Sequence, residues 1–292
     1  MILLDGKAVS EKLLLEIKQE VQLLTQNGRR APHLAAILVG NNPASMAYVG
    51  SKIKACEKVG FSSTLVELPS DASEADVLNA VDYLNKDESI DGFIVQLPLP
   101  LNVDEKKVVL KVLPQKDVDG FHPENLGRMM SGLPCFLPAT PFGILKLMEH
   151  YSIETAGKNV VVLGRSNIVG TPISIMLSRP GKSGDATVTL CHSKTRELKE
   201  VCLKADIIIA AIGRPYFLKA DMVKKGAVVI DVGINRVEDS SLGKGYKLVG
   251  DADTESLKEV CSSITPVPGG VGPMTIAGLL LNTLQAYKNQ NA

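Results

Sequence analysis

The stretch Val160-Val161-Val162-Leu163-Gly164-Arg165-Ser166-Asn167-Ile168-Val169-Gly170-Thr171-Pro172 decides the fold class. It reads as an apolar strand, a tight turn and a helix start, the arrangement that turns backbone N–H groups toward a dinucleotide pyrophosphate. The standard fingerprint is G-x-G-x-x-G. Here the spacing is G-x-S-x-x-x-G, one residue longer, with Ser166 where the second glycine would stand. The next strand candidate, Ala186-Thr187-Val188-Thr189-Leu190-Cys191, ends roughly 20 residues beyond Gly170, where NAD-binding domains set an acidic residue against the ribose 2′-hydroxyl. This chain has His192-Ser193-Lys194-Thr195 there. With no carboxylate to repel a 2′-phosphate, Arg165, Ser193 and Lys194 are placed to bind one through charge-assisted hydrogen bonds. The pattern favours NADP over NAD. A surface arginine beside a polar strand end is the other reading of the same residues.

Outward from this segment, apolar strands alternate with helical patterns. After a helix at about 9–27 come His33 to Val39, Thr64 to Leu68 and Gly92 to Leu97, an order that argues for parallel βαβ units. The second half repeats it with Asn159 to Leu163, Ala186 to Cys191, Asp206 to Ala211, Ala227 to Val232 and Lys247 to Val249. These runs are rich in Val and Ile and hardly alternate with polar residues, as expected of a doubly wound sheet covered by helices on both faces. Prolines between Ser131 and Pro141 break every regular pattern and mark a domain boundary before a helix containing Phe142 to His150. A second breaker cluster, Thr265 to Pro273, precedes an apolar helix from about Met274 to Tyr287. That helix is expected to return to the first domain, giving one domain of residues 1–139 plus 272–292 and a nucleotide domain of 140–271. Arg179 to Asp185 reads as a surface loop without chemistry.

Composition narrows the function classes. With 292 residues, of which 45% are hydrophobic and 22% charged, the chain is long enough for two domains with substantial cores. Lys plus Arg and Asp plus Glu both number 32, so no broad basic field exists to attract nucleic acid or an anionic membrane, and any anion site must be local. Asp5 and Lys7 interrupt the N-terminus where a signal peptide needs an apolar core, and no run reaches the ~18 apolar residues of a membrane span. The expectation is a cytoplasmic protein. Its five cysteines contain no C-x-x-C pair and its four histidines show no ligand spacing, so neither a disulfide framework nor a metal site is expected.

Four residues in the first half are candidates for chemistry. Asn42-Pro43 provides a cap and a first-turn proline, so that Tyr48 and Lys52, four apart, share a face of the following helix. A tyrosine there can stack on a flat substrate while the lysine reaches its reacting carbon; a solvated lysine is the plain alternative. The buried-type strand from Phe93 ends in Gln96 before a Pro-rich turn, at the carboxyl edge where open α/β sheets bind ligands, and the Gln96 amide can orient an amine without adding charge. Capping of the strand end explains it equally well locally. Lys116-Asp117-Val118-Asp119-Gly120 reads as a turn carrying one functional carboxylate, the remaining ligands of a calcium loop being missing. Pro268-Gly269-Gly270-Val271-Gly272-Pro273 has enough glycine for backbone to approach a ligand, or to act as a hinge between domains.

Together these motifs resemble the bifunctional methylenetetrahydrofolate dehydrogenase/methenyltetrahydrofolate cyclohydrolase family over essentially the whole chain. The resemblance rests on Tyr48-Val49-Gly50-Ser51-Lys52, Val95 to Pro100, Lys116 to Gly120, Pro138 to Pro141, Gly164-Arg165-Ser166 with Gly170, Cys191 to Thr195, and Pro268 to Thr275, all in the family's order. It implies two α/β domains flanking a cleft, a three-layer one for folate and a Rossmann-type one for NADP, and a homodimer. It implies oxidation of 5,10-methylenetetrahydrofolate followed by hydrolysis to 10-formyltetrahydrofolate. Carried over by position, Lys52 becomes the general acid/base of hydrolysis, Gln96 its tuning partner, Tyr48 the stacking residue and Asp119 the pterin anchor. Leu97, Pro268, Gly269 and Val271 add folate contacts. Gly164, Arg165 and Ser166 fall at the NADP phosphates, Ser193 at the 2′-phosphate and Ile234 near the nicotinamide. The competing readings are another two-domain NADP dehydrogenase, such as one for a shikimate-like substrate, a member retaining only the dehydrogenase step, and a catalytically silent dinucleotide sensor.

Overall fold

The computed structural model describes residues 1–291 except Leu242 and Lys244. The chain divides into two compact units, one of Met1–Ser10 with Thr140–Thr275 and one of Glu11–Ala139 with Ile276–Ala292. It opens with strand β1 (Ile2–Leu3) and helix α1 (Gly6–Gln26).

In the unit of residues 11–139 and 276–292, β2 (His33–Val39) lies between β3 (Ser62–Leu68) and β4 (Gly92–Val95), all parallel. Successive residues of β2 point to opposite faces, and both faces are covered. Leu34, Ala36 and Leu38 pack against Leu14, Ile17 and Val21 of α1, Val49, Cys56 and Val59 of α2 (Pro43–Val59), and Leu279, Leu280 and Leu284 of α10 (Val271–Gln290). Ala35, Ile37 and Val39 pack against Val77, Val81 and Leu84 of α3 (Glu74–Lys86) and Val108 of α4 (Glu105–Lys111). The result is three layers. Helix α2 begins where its cap dictates: the Asn42 side chain accepts from the N–H groups of Ala44 and Ser45, and Pro43 opens the first turn. After β4 the chain passes through Lys116 to Gly120 into α5 (Pro123–Met130).

The other unit runs through α6 (Ala139–His150), β5 (Asn159–Leu163), α7 (Gly170–Ser178), β6 (Thr187–Cys191), α8 (Leu198–Cys202), β7 (Ile207–Ala210), β8 (Val228–Asp231), β9 (Asn235–Glu238), β10 (Tyr246–Val249), α9 (Thr254–Leu257) and β11 (Ser263–Ile264). Its parallel sheet has the order β1-β11-β8-β7-β5-β6. Val161, Leu163, Ile208, Ala210 and Val229 fill one apolar layer, while Val160, Val162, Ile207, Ile209 and Ile230 are buried as well. Both faces are therefore covered. The order reverses at β5, with β6 on one side and β7 on the other, so the turn after β5 stands at the switch point that favours ligand binding.

Two sequence expectations differ from this arrangement. Lys247 to Val249, expected in the parallel sheet, forms β10 and pairs antiparallel with β9 in a separate hairpin. Its half-buried and exposed residues alternate, as in a hairpin with one open face, rather than being buried on both sides. The first ten residues, expected with the folate domain, join the nucleotide unit because the N–H groups of Ile2 and Leu4 donate to Ser262 and Ile264 at 2.8 Å each, adding β1 to the sheet edge. The late crossing of the chain falls inside α10, between Thr275 and Ile276. Among the described residues, no helix is long and apolar enough to cross a membrane.

Candidate active site

Lys52 and Gln96 meet because α2 and the end of β4 both face the carboxyl edge of the three-stranded sheet. The Lys52 Nζ donates to Gln96 Oε1 at 3.2 Å. The amide is held the right way round, since Gln96 Nε2 donates to the Leu97 carbonyl at 2.7 Å and leaves the oxygen for the ammonium. Lys52 is half-buried, whereas Lys54 and Lys58 of the same helix are exposed. Tyr48, one turn before Lys52, leaves 44% of its surface open, so its ring is available to a flat ligand.

The two carboxylates around Val118 have separate tasks. Asp117 is buried and accepts from Phe121 N at 3.2 Å, His122 N at 2.8 Å and Asn125 Nδ2 at 2.9 Å, which locks the turn into α5. Asp119 keeps its carboxyl out of that network and lines a small cavity of about 20 Å³ with Phe93, Val95, Leu97 and Phe121. Burial pushes the Asp119 carboxyl up to about 6, the positive charge of Lys52 pulling it down and Asp117 adding to the rise. Lys52 thus has a carboxylate within electrostatic reach as well as the neutral amide, a neighbour the reading of Gln96 alone did not include. Asn282 of α10 donates to the Val118 and Leu137 carbonyls at 2.8 Å each and so steadies the turn from behind. Sequence reasoning missed Asn282, whose partners lie 164 and 145 residues away.

In the nucleotide unit, Gly164 adopts a φ of +102°, and a Cβ there would stand 2.1 Å from the Ala211 carbonyl oxygen. Only glycine fits. A Cβ at Gly170 would stand 1.9 Å from the Gly164 oxygen, which explains glycine at the start of α7. Ser166 does what the missing second glycine cannot: its Oγ accepts from the N–H groups of Val169 and Gly170 at 3.2 and 3.3 Å, leaving its own O–H to donate to a ligand. Gly164 N donates to the Cys191 carbonyl at 2.9 Å, tying the turn after β5 to the end of β6. At that end His192 N donates to Thr195 Oγ1 and Lys194 N to His192 Nδ1, which presents Ser193 and Lys194 at an exposed tip. Arg165 is exposed on the adjoining strand end. Two cationic side chains and two hydroxyls therefore gather at the ends of β5 and β6, a set suited to phosphate groups.

Ile234 leaves 44% of its surface open and lies beside Gly272, whose built Cβ would be 3.6 Å from Ile234 Cδ1. Pro268 is exposed and Gly269 half-buried, while the Val271 side chain is 4% exposed and faces inward at the start of α10. The Gly269 carbonyl accepts from Lys7 N at 2.8 Å, so the loop is braced by the first turn of α1.

Residues 4–119 match the family described as tetrahydrofolate dehydrogenase/cyclohydrolase, catalytic domain, and residues 138–291 match its NAD(P)-binding domain. The chain belongs to the tetrahydrofolate dehydrogenase/cyclohydrolase family. A curated relative in Flavobacterium johnsoniae, the bifunctional protein FolD, is 58% identical over 292 residues, covering 100% of this chain and 99% of that one. Among solved structures, the bifunctional FolD enzyme of Campylobacter jejuni superposes with a TM-score of 0.92 at 48% identity, covering 99% of each chain. The Trypanosoma brucei FolD, solved with NADP cofactor and inhibitor, gives 0.94 at 37% identity over 99% of this chain and 98% of its own. In this member of the family, the Lys52 cluster falls in the segment matching the catalytic domain, and the Gly164 turn in the segment matching the NAD(P)-binding domain.

Proposed function

We propose that this chain is a bifunctional one-carbon enzyme that oxidises 5,10-methylenetetrahydrofolate with NADP and then hydrolyses 5,10-methenyltetrahydrofolate to 10-formyltetrahydrofolate. The observation that carries the reading is the Lys52 ammonium held 3.2 Å from the Gln96 amide oxygen, with Asp119 in a cavity within its electrostatic reach.

The residues of the nucleotide unit fit NADP. Arg165, Ser193 and Lys194 supply donors for a 2′-phosphate with no carboxylate among them, the Ser166 hydroxyl is left to donate to the pyrophosphate, and Ile234 offers an apolar surface to the nicotinamide half. Bound there, NADP would supply the acceptor for the hydride that leaves the methylene carbon with its two electrons. The protein's part in that step is to hold the carbon and its acceptor in register and to exclude water.

In hydrolysis, a water oxygen bonds to the methenyl carbon and Lys52 takes its proton. The bond from that carbon to N5 then breaks, N5 keeping the electron pair and receiving the proton back from Lys52, while the hydroxyl releases its own proton as the formyl C=O forms. The cationic substrate disfavours a second positive charge on the facing ammonium, which suits Lys52 to begin as a base. Gln96 orients the amine through its oxygen. Asp119 accepts from the donor-rich edge of the pterin, Tyr48 stacks on the ring, and Leu97 adds an apolar contact beside Asp119.

One cuvette tests the reading. Purified protein given methylenetetrahydrofolate and NADP is expected to form NADPH, and added methenyltetrahydrofolate to lose its absorbance faster than in buffer. Absence of NADPH removes the first activity; a buffer-rate decay removes the second. The same reading has the chain working as a homodimer in the cytoplasm, and sedimentation velocity is expected to give twice the 31.2 kDa chain mass.

A further inference from the structure

At the carboxyl edge of the parallel sheet, two buried aspartates interlock outside every role assigned above. Asp231, at the end of β8, accepts through Oδ1 from Gly233 N and Asp251 N at 2.9 Å each, and through Oδ2 from Ala252 N at 2.8 Å. Asp251 is fully buried, and it gathers donors from two other segments. Its Oδ2 accepts from Ile212 N at 2.7 Å and Gly213 N at 2.9 Å, and its Oδ1 from Arg214 N at 2.8 Å and Asn235 Nδ2 at 2.9 Å.

Three successive N–H groups aimed at one point form a nest, a concavity that ordinarily receives an anion. In this protein the anion is the chain's own carboxylate. The loop after β7 is therefore held from within, and its backbone donors are not available to a ligand's phosphates. The two carboxylate oxygens have about four acceptor sites and meet four donors, so the site is saturated.

The segments held this way are those that border the cofactor residues. Ala211, at the start of the loop, presents the carbonyl oxygen that sits 2.1 Å from where a Gly164 Cβ would be. Ile234 is flanked by Asn235, which donates to Asp251, and by Gly233, where a Cβ would stand 2.4 Å from Asp251 Oδ1. One carboxylate thus ties together the chain just after β7 and after β8, and through Ala211 backs the turn after β5.

We propose that Asp251 is a positioning residue for the dehydrogenase reaction, fixing the loop of residues 211–214 and the Ile234 segment so that the nicotinamide half of NADP is held in register for hydride transfer. This deepens the NADP reading and rests on it. Asp251 touches neither ligand; it acts through Ala211, Asn235 and the Ile234 backbone. The hydrolytic step uses Lys52, Gln96 and Asp119 and needs no NADP, so the second activity reports whether a variant is folded.

The test compares Asp251→Asn with the parent, as full chains, in two assays and one binding measurement. Asparagine keeps the shape but turns one oxygen into a donor facing donors. The expected result is hydrolysis of methenyltetrahydrofolate within about twofold of the parent, with KM for NADP and its titrated dissociation constant both raised roughly tenfold or more, the scale of a lost charge-assisted hydrogen bond. Asn235→Ala, which spares the three backbone donors, is expected to move the same constants in the same direction by less. Proportional loss of both activities in Asp251→Asn, with Asn235→Ala unchanged in its NADP constants, overturns the proposal. So does an Asp251→Asn protein that hydrolyses normally and binds NADP as the parent does. A parent that forms no NADPH at all defeats the functional reading first, and that outcome is separate from either of these.

Discussion

Lys52 and Arg165 carry opposite requirements: one has to give up a proton, the other has to keep its charge. A positioned general acid/base contributes about 10²–10⁴-fold, so Lys52→Ala is expected to slow methenyltetrahydrofolate hydrolysis by that factor. Near-parent hydrolysis would remove Lys52 from the role. Arg165, exposed beside the end of β6, is expected to read the 2′-phosphate; Arg165→Ala should raise KM for NADP roughly tenfold and leave that for NAD almost unchanged. Equal changes with both cofactors would contradict this. Asp119 adds a pH signature. Its carboxyl is raised by burial from the ordinary 3.8 to about 6, so the stability it contributes is present below about pH 4 and lost as pH rises through about 6. Asp119→Asn should therefore match the parent near pH 3.5 and exceed it above pH 7 by at most about 3 kcal/mol in denaturant titrations. A stability difference that does not change with pH would show that the side chain is not held in a desolvated place.

Helix α10 works at both ends of its length. Its first residues belong to the nucleotide unit, and from Ile276 onward it packs Leu279, Leu280 and Leu284 under β2. Asn282 gives it a second function, since its amide satisfies the carbonyl of Val118, next to Asp119, and that of Leu137. Asn282→Ala leaves the buried Val118 carbonyl and the part-buried Leu137 carbonyl without this donor and is expected to cost about 1–3 kcal/mol in urea unfolding, with slower hydrolysis of methenyltetrahydrofolate as the turn loosens. An unchanged midpoint would show that water or relaxation replaces the amide. The loop of residues 179–185, read as a surface connection, is tied down as well: Thr155 Oγ1 donates to the Gly184 carbonyl at 2.7 Å, Ser183 Oγ to Glu149 Oε1 at 3.0 Å, and Asp185 N to the Arg179 carbonyl at 2.8 Å. These bonds hold the connection from α7 into β6 without bringing it any catalytic group.

For the molecule as a whole, ligand binding and folding are linked. A ligand present at about 100 times its dissociation constant stabilises the folded state by about 2.7 kcal/mol, so NADP is expected to raise the calorimetric unfolding temperature more than NAD at equal concentration. Equal shifts would argue against a 2′-phosphate site. What could be read along the chain followed from local chemistry. His33–Val39 and Asn159–Leu163 were legible to the residue because unbroken Val, Ile and Leu runs are stable only with both faces covered, and α2 was legible from its Asn-Pro start. Lys52, Gln96 and Asp119 were legible as residue types at the ends of elements, and through the family they resemble. The two-residue strands β1 and β11 were not, since no periodicity exists in two residues and their pairing depends on edges built elsewhere. Nor was the task of Asp251: its four donors come from residues 212–214 and 235, and nothing near position 251 announces them. Sequence alone determined the longer strands and helices and which side chains carry charge, because those depend on spacing along the chain. Tertiary structure decided which carboxylate is locked and which stays open to a ligand, where the first ten residues belong, and which way the Gln96 amide points, because hydrogen bonds and desolvation are set by groups that meet only after the chain has folded.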